Sequence, residues 1–139
     1  MIYYFDASAL VKLYIYEEGS EQVDEVIAQA EMIGTSLIAY PETLSALCRR
    51  FRECLFDLKV YNQIRRAFEK DWQRIHVIDF SPQISQSAGK LIHQHGIRTL
   101  DAIHLVTAME FKSWLSTPLT FLCFDDKLSK AAKAEGMIL

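Results

Sequence analysis

Short apolar runs and helical stripes alternate along this chain. Ile2–Phe5 is an apolar run that ends on Asp6, the mark of a short buried strand. Ala7 to Tyr16 is apolar nearly all round, which predicts a short buried helix. Glu17-Glu18-Gly19 breaks that pattern. Ser20 then reads as the N-cap of a helix over 21–31, with Val23, Val26, Ile27 and Ala30 on its inner face. Gly34 to Ala39 is β-prone and predicts a second strand. Pro41-Glu42 opens a helix, since proline suits the first helical position and an acid the first turn. Its stripe runs through Leu44, Leu47, Cys48, Phe51 and Leu55. A further amphipathic helix over 57–74 carries Val60, Tyr61, Ile64, Phe68 and Trp72 inward, and the two helices form a hairpin.

The second half repeats the alternation. His76 to Phe80 reads as a third strand, Ser81-Pro82 opens a helix through His95, and Gly96 stops it. Thr99 can N-cap a helix over 100–114 with Leu100, Ile103, Val106, Phe111 and Trp114 on its core side. Pro118 breaks that helix, Leu119 to Phe124 is a fourth strand, and a last helix over 126–135 ends at Gly136. Met137-Ile138-Leu139 is a candidate fifth strand. Strands alternating with helices predict a single α/β domain: a three-layer α/β/α sandwich on a mostly parallel sheet of four to five strands.

Composition narrows the function classes. Of 139 residues, 50% are hydrophobic and 24% charged, the balance of a folded soluble domain. A net charge of -3 argues against nucleic-acid binding by bulk charge but leaves room for a local basic surface. Cys48, Cys54 and Cys123 form no CxxC pair, which disfavours a disulfide framework and a zinc site. No apolar stretch approaches the roughly 18 residues of a membrane span, and no signal core opens the chain, so a cytoplasmic protein without a membrane partner is expected.

The chemistry lies in the acids. In a parallel sheet all strand carboxyl ends share one edge, where ligands of open α/β folds bind. Asp6 ends the first strand, Asp125 ends the fourth, and Glu42 lies in the first turn after the second. Asp101 lies in the first turn of a helix that follows another helix, so strand position does not place it. Glu42, Asp101 and Asp125 each have an ordinary explanation in helix capping or in the helix dipole, worth about 0.3 to 1 kcal/mol. Asp6 is less easily dismissed, because so apolar a strand–helix junction leaves it partly desolvated. Together they pose a problem, because two like charges about 4 Å apart repel by roughly 4 kcal/mol at an effective dielectric near 20. No lysine or arginine adjoins Asp6, Glu42 or Asp101 in sequence. A hard divalent cation answers the need, and an all-carboxylate donor set favours Mg2+ or Mn2+ over zinc.

The segments FDASALVKLYIYEEGS, YPETLSAL, TLDAIHLVTA and FLCFDDKLSKAAKAEGM stand in an order that resembles the PIN-domain ribonucleases, most of all the VapC-type toxins of toxin–antitoxin pairs. The resemblance covers essentially the whole chain and implies a PIN-like fold. It also implies an acidic quartet at Asp6, Glu42, Asp101 and Asp125 that binds metal and hydrolyses RNA phosphodiesters. Ser8 matches the small hydroxyl residue common after the first acid. A homodimer and a small antitoxin covering the acidic groove are implied too, and the apolar first two helices are a candidate surface for either partner.

Two positions depart from the family pattern. Cys123 stands where Thr or Ser is common two residues before the last acid, which removes a hydroxyl that would help to position Asp125. Asp126 stands where a basic or polar residue is commoner; it reads as solvated, with an outer-shell role as the alternative. Between Arg49 and Arg74 eight basic residues face four acids, a local +4 that leaves -7 on the rest of the chain. Arg49 and Arg50 are therefore candidate RNA-phosphate contacts, against the plainer reading of a solvated, salt-bridged face. His104 reads as a structural histidine rather than a general base. His93 and His95 read as surface residues and His76 has no evident partner. Trp72 and Trp114 read as packing residues, and Cys48 and Cys54 as small core residues of a helix. Two other classes compete. A magnesium-dependent phosphotransfer or receiver-like domain would want a second acid where Ser8 stands or an acidic pair after the first strand. A non-catalytic PIN-like binding module would have no need of four intact acids.

Overall fold

A computed structural model describes residues 1–139. Its sheet has four strands, β1 (Ile2–Phe5), β2 (Met32–Ser36), β3 (His76–Ile78) and β4 (Leu119–Leu122), in the order β3-β2-β1-β4. All pairings are parallel. Seven helices connect them: α1 (Ala7–Val11), α2 (Ser20–Gln29), α3 (Ala39–Arg52), α4 (Leu58–Trp72), α5 (Pro82–His95), α6 (Thr99–Trp114) and α7 (Asp126–Ala134). The C-terminal segment adds one parallel bridge, Thr120 to Ile138, rather than a fifth strand.

Side-chain alternation along β1 sets the three layers. Tyr4 joins the core formed with α5, α6 and α7, while Tyr3 and Phe5 join the core under α1, α2 and the start of α3. From β1 the chain steps outward to β2 and β3, then returns to β4 on the other side of β1. The strand order thus reverses between β1 and β4, the position where such sheets open a crevice at their carboxyl edge.

Several boundaries depart from the sequence expectation, each for a tertiary reason. Helix α1 stops at Val11 instead of reaching Tyr16, because the buried Ser20 hydroxyl donates to the Lys12 and Ile15 carbonyls and accepts from Glu17 N. Ser20 is accordingly the first residue of α2 and not its cap; Gly19, at φ 93°, holds that place. Strand β2 starts at Met32 because Ile2 and Tyr3 pair with Met32 and Ile33. Gly34 within it permits the close approach of Phe111 from α6. Helix α3 ends at Arg52, so Leu55 leaves the apolar stripe for solvent, and Cys54, at φ 59°, is exposed rather than helical. Strands β3 and β4 end two residues short, at Ile78 and Leu122.

Val60, Leu100 and Trp114 are exposed rather than inward. Trp72 packs against Tyr40 and Phe68, His76 stacks on Phe111, and His95 pairs with Glu135 at 2.7 Å. Ala9, Leu10 and Val11 of α1 are buried within the chain, whereas Tyr16 just beyond α1 and Ile27 of α2 are exposed. Helix α5 forms as read, with the Ser81 hydroxyl accepting from Ile84 N, Pro82 opening the helix and Gly96 closing it at φ 64°. No helix is long and apolar enough to cross a membrane.

Candidate active site

A cleft of about 720 Å³ opens at the carboxyl edge of the sheet and is lined by Asp6, Glu42, Asp101 and Asp125. The four acids arrive from four places: the end of β1, the first turn of α3, the first turn of α6, and the link from β4 to α7. Asp6 and Asp125 follow adjacent strands, and Asp6 N donates to Leu122 O at 3.2 Å across the seam between them. Asp101, which strand position did not place, comes to the cleft because α6 is buried without a break from Ala102 to Thr107, leaving its first turn at the edge.

Each carboxylate is held differently. Asp6 is 4% exposed and caps α1, taking Ala9 N at 2.9 Å and Ser8 Oγ at 2.7 Å, both on Oδ1. Burial pushes its carboxyl up from the usual range and Asp101 adds to that, while His104, the Ser8 hydroxyl and Ala9 N pull it down. Asp125 caps α7 with Oδ1 on Leu128 N at 2.8 Å. Asp101 Oδ2 accepts from Arg98 Nε at 3.1 Å, and Arg98 Nη2 lies 3.7 Å from Asp125 Oδ2. Asp101 first, and Asp125 after it, push the Arg98 guanidinium further above its ordinary value.

Glu42 Oε1 pairs with His104 Nε2 at 2.7 Å, and His104 Nδ1 meets the Tyr4 hydroxyl at 2.8 Å. An ionised carboxylate can only accept, so Nε2 carries a proton toward Glu42. Tyr4 is fully buried at the centre of the sheet; burial first, then the nearby Asp6, raises its phenol well above the ordinary value. Tyr4 thus stays a neutral hydroxyl that anchors the ring. His104 is structural in the sense expected, at 1% exposure with both nitrogens bonded.

Arg49 and Arg50 line the same cleft, together with Glu17. Arg50 Nη2 lies 2.6 Å from Glu17 Oε2 and Lys12 Nζ lies 2.9 Å from Glu17 Oε1, so Glu17 holds two bases at the rim. Arg49 makes no salt bridge. Asp126 is exposed and outside the cleft, in keeping with the solvated reading. Cys123 Sγ lies 3.3 Å from Ser129 Oγ, and burial pushes its thiol up to about 11. The helix cap, not a hydroxyl at position 123, positions Asp125.

Arg98, Tyr4 and the His104–Glu42 bond were absent from the sequence expectation. Arg98 stands three residues before Asp101, a spacing that places side chains together on a helix and could have flagged it. The His104–Glu42 bond spans 62 positions and leaves no local signal.

As the side chains stand, no three His, Cys, Asp or Glu residues approach closely enough to share a metal ion. Two bases sit among the acids: Arg98 engages Asp101 and Asp125, and His104 engages Glu42. The donor set still fits a hard cation. It offers carboxylate oxygens, Asp101 and Asp125 already converge on one positive group, and Asp6 Oδ2 receives no hydrogen bond.

The fold and cleft define a three-layer parallel α/β sandwich with acids gathered at its strand-order reversal. The PIN domain family model matches residues 3–134, and the chain belongs to that family. Ribonuclease VapC45 of Mycobacterium tuberculosis is 31% identical over 134 residues, 96% of this chain and 90% of that protein. The crystal structure of Mycobacterium tuberculosis VapC20, described as a sarcin-ricin loop cleaving toxin, superposes with a TM-score of 0.69 at 17% identity, over 98% of this chain and 96% of that one. Rickettsia felis VapBC2, solved bound to a promoter DNA fragment, gives a TM-score of 0.66 at 19% identity, over 100% and 97% of the two chains.

Proposed function

We propose that this chain is a divalent-metal-dependent endoribonuclease, the toxin of a type II toxin–antitoxin pair, using Mg2+ or Mn2+. The observation that carries the reading is the convergence of Asp6, Glu42, Asp101 and Asp125 from four elements on one cleft, in a member of the PIN family. Ribonucleases of that family are in general divalent-metal dependent, and the VapC relatives are named ribonucleases.

In this reading Asp6, Asp101 and Asp125 hold the cation, and Ser8 fixes the orientation of Asp6 through Oδ1. When bound, such a cation makes hydroxide available near neutral pH and offsets charge gathering on the phosphate oxygens. Glu42, gripped through Oε1 by His104, presents Oε2 to orient the attacking water. Arg49 and Arg50 on the cleft wall supply charge for the RNA backbone; the chain's net charge makes such local contacts necessary. A cognate antitoxin that covers the cleft, a homodimer and a cytoplasmic location belong to the same proposal.

The test is cleavage of RNA by wild type, Asp6→Asn and Asp101→Asn, with Mg2+ and with chelator. Cleavage that needs Mg2+ and disappears in both variants is expected. Undiminished cleavage in chelator, or in either variant, would overturn the proposal.

A further inference from the structure

Arg98 carries more of the cleft's electrostatics than an exposed residue ordinarily would. It stands just ahead of α6, its side chain is 79% exposed, and yet its guanidinium reaches two acids from different elements. Asp101 comes from the first turn of α6 and Asp125 from the cap of α7 after β4, so Arg98 bridges two elements at the cleft. A planar guanidinium suits this, because its separate N–H groups can serve two carboxylates at once. Nothing else ties the side chain down: it makes no capping bond to α6.

We propose that Arg98 is the resident counter-cation of the metal-free cleft, competing with the divalent ion for Asp101 and Asp125 and swinging out when that ion binds. The proposal rests on the metal-binding reading above. Without metal, buried Asp6 faces Asp101, and a guanidinium on Asp101 lessens that repulsion. With metal, the same guanidinium would set a third positive charge beside a divalent ion and withhold two carboxylate oxygens from it. Its exposure gives it solvent to move into at little packing cost. Arg98 thereby sets the metal concentration at which the site fills, with no direct contact to the ion.

The competition can be measured without RNA. Mn2+ is titrated calorimetrically into metal-free wild type, Arg98→Gln, Arg98→Lys and, as a surface control away from the cleft, Arg74→Gln. The Gln variant keeps much of the side chain's bulk, and no buried contact is lost, so it folds. Its Mn2+ affinity is expected to rise by roughly 2- to 5-fold, the scale of an exposed ion pair. Arg98→Lys, which keeps the charge but not the two-carboxylate fork, is expected between the two, and Arg74→Gln to match wild type. Arg98→Gln binding Mn2+ no tighter than wild type would overturn the competition while leaving metal binding intact. Wild type that binds no Mn2+ would overturn the metal reading itself, and this proposal with it. A second readout follows the Arg98 Nε proton by NMR: its exchange with water should quicken on addition of Mg2+, and unchanged exchange at saturating Mg2+ would count against displacement.

Discussion

At Gly34 the helix carrying Asp101 and His104 packs close on the sheet through Phe111, and adding a methyl group there is a sharp test of how the site is held. A Cβ on Gly34 would sit 2.8 Å from Phe111 Cδ1 and closer still to Cε1. The ring has little room to retreat: Phe111 is 2% exposed, stacked on His76 at 5.1 Å, with Trp114 edge-on at 6.4 Å. Overpacking of this kind costs about 1–3 kcal/mol. Gly34 is not among the glycines at positive φ, so alanine is not penalised by the backbone and recovers about 0.4–1 kcal/mol through the unfolded chain. The net expectation for Gly34→Ala is a loss centred on about 1.3 kcal/mol, within about 0 to 2.6 kcal/mol, or a Tm lower by up to roughly 10 °C for a chain of this size.

Thermal and urea unfolding followed by circular dichroism measure that loss. A double-mutant cycle with Phe111→Leu assigns it. Because the smaller side chain relieves the clash, the two substitutions should be less damaging together than their sum, by at least about 0.5 kcal/mol. Any displacement of α6 also moves Asp101 and His104, so RNA cleavage should fall more than stability alone explains. A Gly34→Ala protein more stable than wild type, or a strictly additive cycle, would refute the argument that this glycine makes room for α6 to approach.

Two further outcomes follow from the buried polar groups. Burial raises the Asp6 carboxyl, so the native state favours its protonated form. The stability it contributes is present at pH below the ordinary carboxylate range and is lost as pH rises through the raised value. Asp6→Asn keeps an acceptor for Ala9 N and loses the charge; in chelator its Tm should exceed that of wild type at pH 7, with the gap closing as the pH falls, and a gap independent of pH would contradict the assignment. Ser20→Ala removes a buried hydroxyl serving two carbonyls and one amide, and should cost about 1–3 kcal/mol by urea unfolding.

What could be read from the residues was local. The Ser81 cap, Pro82 and Gly96 define α5 because each acts on its own neighbours. The burial of β1 followed from its unbroken apolar run, and the acids at strand ends followed from sheet geometry. Events set by distant partners could not be read. The apolar pattern continues past Val11, but α1 stops there and the Ser20 hydroxyl engages the Lys12 and Ile15 carbonyls just beyond it. The start of β2 is dictated by its pairing with β1, and Glu42 is oriented by a histidine whose proximity only the folded chain creates.

The capping explanation and the site explanation for these acids are compatible, since a carboxylate has two oxygens. Asp6 gives Oδ1 to Ala9 N and Ser8 Oγ, and Asp125 gives Oδ1 to Leu128 N; in each case the helix start uses one oxygen and fixes the direction of the other. Asp125 Oδ2 turns to Arg98, Asp101 Oδ2 meets the same guanidinium, and Glu42 is held through Oε1 alone. Anchoring by one oxygen gives a rigid acid without exhausting its capacity to bind. This arrangement orders the acids by readiness for a cation. Asp6 Oδ2 has no hydrogen-bond partner to give up, only the proton that burial favours. Asp101 and Asp125 must first exchange a flexible, exposed guanidinium, and Glu42 is tied to a buried ring anchored on Tyr4. On the proposed reading, that ordering favours the three aspartates as the metal ligands and leaves Glu42 for the attacking water.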